Sequence, residues 1–480
     1  MTSSGRAPPS LSVSHTYPAE TKALLSLAAP LIVAQLAQMA MGMVGTLAAG
    51  RLGVRVLAAQ ALGATVFMLV LITAYGAMAG LDPHVAQAMG AGQPERAGRL
   101  FRQGMWLAGI AALPMTAGLW LAPHMLLAMG QEPELVRDTA AYLDICALGL
   151  APAMFFVMCR SFASAVGATS MVMVVSIIGN VIHAVLAFRW AFDGDGSATH
   201  GLRGLGWATV VCRVGMAVGL LAWVQLAPRF RHVRTAWQWP QWQYLAPILR
   251  SGLPLGLQYG LEVTGFVLIT LWMGLKGAPV LAAHEIALSA AAVAFQLPFS
   301  LGSAAAMRIG HAVGRRDQAG IRRAGWTAFG VGAIYSIGSG IVILIWRQWI
   351  ADQYLPDGDP AVLALAVHLL AIGAAFQLAD GLQAIGFGVL RGLDDTRLPV
   401  VFNVLGFALL GLPLGYICVF VLHWHVQWLW WGLSLALGTV ALSLVLRFWW
   451  WTANTGRIRG FGIAPLGNST PETLAPENNL

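Results

Sequence analysis

Two carboxylates stand where the sequence offers nothing to solvate them. Glu262 lies in LQYGLEVTGFVLITLW (257–272), a stretch with no other charge. Asp380 is the one Asp, Glu, Lys or Arg in the apolar run 361–390. A carboxylate enclosed by apolar residues can take up a proton or a small cation such as Na+, and either event changes the local charge by one unit. Glu262 and Asp380 are therefore the candidate cation-binding residues, and the candidate Na+ ligands if sodium is the ion. The competing reading is a structural ion pair, for which Arg213 is the one basic residue placed in the middle of an apolar run.

Other polar residues carry less. Asp82 and Asp144 fall near span ends and read as solvated. His284 and Glu285 follow VLAA near a helix start, where a hydrogen-bonded structural role fits better than ion binding. Cys146, Cys159, Cys212 and Cys418 sit singly in apolar runs, with no CxxC or Cys/His ligand spacing, so burial is the expectation. No GxxxxGK phosphate loop occurs and the chain has two lysines, which argues against an ATP-driven motor in this chain. The expectation is a protein that is not an enzyme and has no cofactor.

The elements that must position these carboxylates follow from composition. The 480 residues are 58% hydrophobic and only 10% charged, with mean hydropathy +0.70. A soluble chain carries roughly 25% charged residues. Runs 24–50, 56–81, 103–123, 161–188 and 324–346 contain no Asp, Glu, Lys or Arg. Run 398–446 is equally free but twice the needed length, and HWHVQW (423–428) splits it. Runs near 139–163, 204–227, 247–275, 280–307 and 361–390 carry isolated charges. Each run meets the roughly 20 apolar residues that cross a bilayer, and such long runs are helices rather than barrel strands. The fold class is therefore an all-α integral membrane protein of twelve transmembrane helices.

Basic residues orient it. With the N-terminus inside, twenty of the 28 Lys and Arg fall on inside segments, seven on outside ones, and Arg213 within a span. This bias predicts that both termini are cytoplasmic. It also accounts for the net charge of +8 without a nucleic-acid partner, because the arginines are spread over alternate loops. The tryptophans of WRQW, HWHVQWLWW and WWW read as interfacial anchors.

The chain repeats. At an offset of 224, VLAA at 56–59 meets VLAA at 280–283, Pro30–Leu31 meets Pro254–Leu255, and Gly50 and Gly53 meet Gly274 and Gly277. GQPERAG (92–98) aligns with GRRDQAG (314–320) at 222, and Phe162 and Gly167 with Phe387 and Gly392 at 225. The division is a tail (1–23), a six-helix lobe (24–227), a linker (228–246), a second six-helix lobe (247–452) and a tail (453–480). Six spans per lobe make the repeats parallel, as is common in secondary transporters, with sites near the midplane. At 224, Glu262 meets Gln38, so only the second lobe has the acid.

AAPLIVAQL, GRLGVRVLAAQALG, VAQAMGAGQPERAG, SFASAVGATSMVMVVSIIGNVI, GLEVTGF, VLAAHEIAL, LPFSLGSAAAMRIGHAVG and LADGLQAIGFGVLRGLDDT together resemble the MATE family of multidrug and toxic compound extrusion proteins, in its bacterial NorM-type branch. The resemblance spans about residues 24–452. It implies twelve helices in two lobes around a central cavity, in a bacterial inner membrane, and export of cationic lipophilic drugs and dyes in exchange for Na+ or H+ by a chain expected to be monomeric. It places Glu262 and Asp380 on the acidic positions of the second-lobe cation site and Asn180 on a polar position of the first-lobe cavity. Gln38, Gln258, Tyr259, His284, Phe295 and Phe376 complete the candidate cavity residues, and Met-rich AQMAMGM (37–43) is a further candidate lining, though ordinary packing explains it better. Two departures matter. The helix-1 acid of the usual VDT triplet is Gly45 here, and Phe295 and Phe376 replace tyrosines found in some relatives. The branch favours sodium and the missing hydroxyls favour protons. A lipid-linked precursor flippase, which would need a strongly cationic cavity, and a channel or structural membrane protein, which would not need the carboxylates, are the alternatives.

Overall fold

A computed structural model describes residues 13–192, 198–233, 238–354 and 359–453. The tails up to residue 12 and from residue 454, and part of the linker, lie outside the described residues. Among the described residues fifteen α-helices follow one another. They are α1 Tyr17–Leu52, α2 Val54–Met78, α3 Leu81–Gly90, α4 Pro94–Ala128, α5 Pro133–Leu148, α6 Leu150–Ala165, α7 Thr169–Phe192 and α8 Ala198–Leu226, then α9 Trp242–Leu275, α10 Ala278–Gly314, α11 Gln318–Tyr354, α12 Pro360–Gly392, α13 Arg397–Asn403, α14 Leu412–Tyr416 and α15 Trp428–Ala453. Eleven helical spans are long and apolar enough to cross a bilayer, with α2–α3 counted as one and α13 to Val421 as another; the α5–α6 pair, bent by 42° at Gly149, makes twelve. The span read from sequence as one run near 139–163 is thus a broken one.

Several helices run 34 to 37 residues, about 50 Å at 1.5 Å per residue, and extend well past a hydrocarbon core of roughly 30 Å. They bring the loops that carry most arginines to one end of the bundle, here termed the arginine-rich face.

The turns reveal the repeat more sharply than the side chains do. Gly53 and Gly277, 224 apart, both have positive φ (125° and 113°) and join the first two helices of each lobe. After α3 the chain turns left-handed at Gly92, with Gln93 N–H bonded to Ala88 O; after α10 it does so at Arg316, with Asp317 N–H bonded to Ala312 O. These pairs are again 224 apart. The 222 alignment of GQPERAG with GRRDQAG is therefore two residues out of register: the backbone fixes Gly92 opposite Arg316, and the shared glycines mislead. Likewise the left-handed residue after α6 is Gly167 and after α12 is Asp394, an offset of 227 rather than 225. Holding a non-glycine there costs roughly 1–2 kcal/mol.

Two apolar cores form, one mainly from α1–α8 and one mainly from α9–α15. The division is not clean. Leu24, Leu27 and Ala28 of α1 belong to the second core, and Leu245 and Ile248 of α9 to the first, so each lobe's leading helix reaches into the other.

The lobes meet through glycines near the arginine-rich face. A Cβ added at Gly80 would lie 2.5 Å from Gly252 N and Ile248 O, and one at Gly76 would lie 2.7 Å from Gly256 Cα. One at Gly310 would lie 2.6 Å from Ala86 Cβ. Only glycine permits this backbone approach. Polar contacts tie the same seam. His84 Nε2 lies 3.2 Å from Ser251 Oγ, which donates to Asp394 Oδ1, and Gln87 Nε2 donates to Gly392 O at 3.3 Å. Arg308 pairs with Glu20, its Nε donating at 2.8 Å, and with Ser14. Every lobe-to-lobe approach named here lies in the half nearer that face, so the bundle is sealed there.

Candidate functional site

Glu262 lies twenty residues from the start of α9 and thirteen from its end, about 20 Å from the nearer end. Asp380 is twelve residues from the end of α12 and 4% exposed. α12 comes close to α10 and α11 beside it, because Gly381 abuts Ser336 Oγ and would put a Cβ 3.5 Å from Pro298. On the other side, a Cβ at Gly265, one turn past Glu262, would be 2.8 Å from Phe407. Phe407 sits in a π-helical stretch, Val404–Gly411, that follows α13; such π turns recur at functional sites. Glu262 and Asp380 lie within electrostatic range of each other, with the Gln383 amide beside Glu262.

No Lys or Arg pairs with either carboxylate among the described residues. The ion pair with Arg213 does not form; Arg213 stands in the other lobe over Phe67. The surroundings are amides and hydroxyls. Gln258 and Gln383 are 0% and 1% exposed, and neither amide completes a side-chain hydrogen bond. Ser336 Oγ, Gln377 Nε2 and Asn403 Oδ1 are also buried without partners. Asn403 Nδ2 donates to Gln258 O at 3.3 Å. A buried polar group left unpaired costs about 1–3 kcal/mol. Such a set around two acids is suited to a small hard cation, which takes oxygen ligands, or to a proton. Among the described residues no three of His, Cys, Asp and Glu converge to hold a metal.

His284 is 1% exposed, and its ring is engaged at both nitrogens. Trp430 Nε1 donates to Nδ1 at 3.1 Å, and Nε2 meets Thr270 Oγ1 at 2.9 Å. Thr270 gives its own proton to Phe266 O, so the network assigns the Nε2–H tautomer. Phe376, 2% exposed, lies 5.5 Å from the same Trp430 ring. Trp430, read as an interfacial anchor, is 0% exposed and holds the lobe interior instead; its neighbours Trp424, Trp428 and Trp431 are exposed.

Where the lobes meet, Tyr75, Tyr259 and Phe299 stand with ring centroids 6.1–6.2 Å apart, and Phe295 joins at 5.9 Å from Phe299. The Arg160 guanidinium lies 5.4 Å over Tyr75, and its Nη1 donates to Gln35 Oε1 at 2.7 Å. Asp82 is not solvated. It is 7% exposed and lies 3.6 Å from Arg391 Nη1, which is buried near Ser303 and Tyr259. This cross-lobe pair was missed because its members stand near opposite ends of the sequence, each at the edge of its own run. Asp144 is exposed, as its position suggested.

The first lobe holds a cavity of about 90 Å³ lined by Gln38, Met41, Met68, Tyr75, Phe156, Arg213 and neighbours. Asn180, partly buried, follows Gly179, which packs on Met216 of the cavity wall. A Cβ at Gly45 would be 3.5 Å from Gln60 Nε2.

The MatE family model matches residues 30–189 and again 254–417, so it falls twice on this chain, its starts 224 apart. The two matches together cover well over half of the sequence. The chain belongs to the MatE family. MatE proteins are transporters, not enzymes. Similar MatE chains include the probable multidrug resistance protein NorM of Mesorhizobium japonicum, 35% identical over 89% of this chain and 93% of that one. Multidrug resistance protein PmpM of Pseudomonas aeruginosa is also 35% identical, over 89% and 91%. A eukaryotic MATE transporter, AtDTX14, shares the MatE fold at TM-score 0.85 and 20% identity, over 92% of this chain and 99% of that one.

Proposed function

We propose that this chain is a secondary active antiporter that expels lipophilic cationic drugs and dyes in exchange for Na+ or H+ bound at Glu262 and Asp380. The single observation that carries the reading is that these two acids lie within electrostatic range of each other in the second lobe, and that neither pairs with a Lys or Arg among the described residues. A charge in the bilayer core costs at least about 2.5–3.5 kcal/mol on insertion scales, a cost that an ion or proton site justifies and a passive scaffold does not. The multidrug resistance names of the relatives support the substrate class.

The positive-inside bias assigns the arginine-rich face to the cytoplasm, and a bacterial inner membrane is the setting. The sealed seam then describes a carrier closed to the cytoplasm. An external cation enters, neutralises the Glu262–Asp380 site and disfavours bound cationic drug, which leaves outward. The lobes then reorient, the ion is lost inside, and drug is taken up. A cycle that carries one net positive charge inward, as exchange of two monovalent cations for one monocationic drug does, gains about 2.3 kcal/mol from 100 mV, enough for a drug gradient of roughly fifty-fold; a one-for-one exchange is electroneutral and draws on the cation gradient alone. Gln38, Asn180, Gln258, Tyr259 and Phe295 are the candidate substrate contacts. His284 and Phe376, both enclosed against Trp430, act by shaping the second lobe. Phe295 and Phe376 offer no hydroxyl to sodium, whereas the Gln258, Gln383 and Asn403 amide oxygens can replace those ligands.

The test is dye accumulation in cells lacking their own efflux pumps, with and without the protein, in sodium and in sodium-free medium. Lower accumulation that depends on the protein and on an ion gradient is expected. Equal accumulation with and without the protein overturns the proposal.

A further inference from the structure

Asp82 stands near the start of α3, and Arg391 in the last turn of α12. Their chain neighbours belong to different cores, Leu81 and Val85 to the first, Val389 and Leu390 to the second. The pair therefore crosses the seam between the lobes, and its side chains are 10% and 3% exposed. The contact is loose. Arg391 Nη1 lies 3.6 Å from Asp82 Oδ2, while Asp82 Oδ1 and Arg391 Nε are buried without hydrogen-bond partners. Arg391 Nη2 donates to Ser303 Oγ at 3.3 Å. A guanidinium and a carboxylate can share two parallel bonds, and these two do not.

A second enclosed ion pair is built differently. Glu20 accepts from both Nε and Nη2 of Arg308, and Ser14 accepts a further bond. Glu20 opens a helix whose Leu24 and Leu27 already pack in the second core, as does Ile309 beside Arg308. That pair ties one packing unit together and can stay closed while the lobes move. The His84, Ser251 and Asp394 contacts do cross the seam, but His84 and Asp394 keep 15% and 28% exposure, so water can replace what they lose. Asp82 and Arg391 have no such outlet while the seam is dry. Removing one member of a buried ion pair is far more costly than replacing both by apolar groups. The pair thus has two favourable arrangements: joined in a dry seam, or parted and hydrated once the lobes separate at the arginine-rich face. Such two-state contacts are what switching interfaces are made of. Tyr259, one turn before Glu262 on α9, lies within electrostatic range of Arg391, Asp82 and Glu262, which sets the pair next to the candidate cation site.

We infer that Asp82 and Arg391 form the charge lock of this seam, joined while the carrier is sealed to the cytoplasm and parted each time it opens there. The inference rests on the reading of the chain as a carrier whose lobes reorient. The two residues hold and release the seam; they bind neither ion nor drug.

The experiment is double electron–electron resonance on the full-length protein in lipid nanodiscs. The native cysteines are buried, so spin labels go on Gln93→Cys and Ala319→Cys, exposed at the arginine-rich ends of the two lobes. In the otherwise native chain the short, sealed distance should dominate. Asp82→Asn and Arg391→Gln should each lower the ratio of sealed to open carriers about 100-fold or more, as expected when one buried charge is left alone. Arg391→Lys keeps the charge and should stay mainly sealed. Asp82→Leu combined with Arg391→Met removes both charges and should also stay sealed, which a purely structural role for either residue does not predict. Thermal unfolding shows which variants are folded, and either single variant set against the double one is enough to decide. A mainly open native chain overturns the inference, as do unchanged distances in the single variants. Opening of the double variant or of Arg391→Lys as far as Arg391→Gln overturns it too. The distances need neither dye nor ion gradient, so loss of ion-coupled efflux with these distances as expected counts against the Glu262–Asp380 reading alone.

Discussion

At the scale of single residues, the second lobe shows how a few polar groups define a site inside an apolar helix bundle. The Gln383 amide beside Glu262 should contribute to holding the coupling ion. Gln383→Leu is expected to raise the cation concentration needed for half-maximal efflux by about tenfold, since the unpaired amide is free to bind the ion or the ionised Glu262 and such a contact to a charged group is worth about 1.5–3 kcal/mol; a titration of dye efflux against sodium and pH measures it. Trp430→Phe tests the packing side of the same lobe. It removes the donor to His284 Nδ1 and leaves a buried acceptor unpaired, so thermal unfolding in detergent should show a loss of about 1–3 kcal/mol. Glu262 and Asp380 were legible in the sequence because a lone charge in an apolar run has no innocent explanation. The amides around them were not, because Gln258, Gln383 and Asn403 lie on three elements and only the fold brings them together. The Asp82–Arg391 pair failed for a related reason: near a span end, a charge looks solvated.

At the scale of elements, hydropathy gave the spans, since a bilayer demands long apolar runs whatever else the sequence encodes. Helix length was less legible, because polar residues continue α9 to α12 beyond the core without any apolar signal. The break at Gly149 was hidden inside a continuous apolar run. The turn register was misread where similar residues outvoted backbone geometry, as at Gly92 and Arg316. The glycine seam between α2 and α9 carries its own prediction. A side chain at residue 252 would run into the Ala77 carbonyl, so Gly252→Val should raise the energy of the sealed state by the roughly 1–3 kcal/mol typical of overpacking. That shifts the ratio of sealed to open carriers at the arginine-rich face by about 5- to 150-fold. Spin labels at Val54 and Leu275, exposed at the opposite ends of their helices, should report a shorter distance in the variant as that end closes. An unchanged distance distribution would mean that the seam does not control the transition.

At the scale of the whole molecule, two lobes of one plan have diverged in charge, and that divergence suggests a division of labour. The duplicated backbone, with positive-φ turns at matching places, supplies two halves able to move against each other. On the proposed reading, the acids of the second lobe couple that movement to an ion, and the first lobe meets substrate. Topology is the simplest check of the direction of this movement: reporters fused in the loops at 90–94 and 314–318 should both read cytoplasmic, and an external reading at either would reverse the proposed cycle. The most direct test of the central claim is dye efflux from proteoliposomes under an imposed sodium or proton gradient, comparing the native chain with Asp380→Asn and Glu262→Gln at equal reconstitution. Gradient-driven efflux in the native protein and its loss in both variants, with dye still bound, is the expected result. Full gradient-driven efflux in either variant would contradict the account.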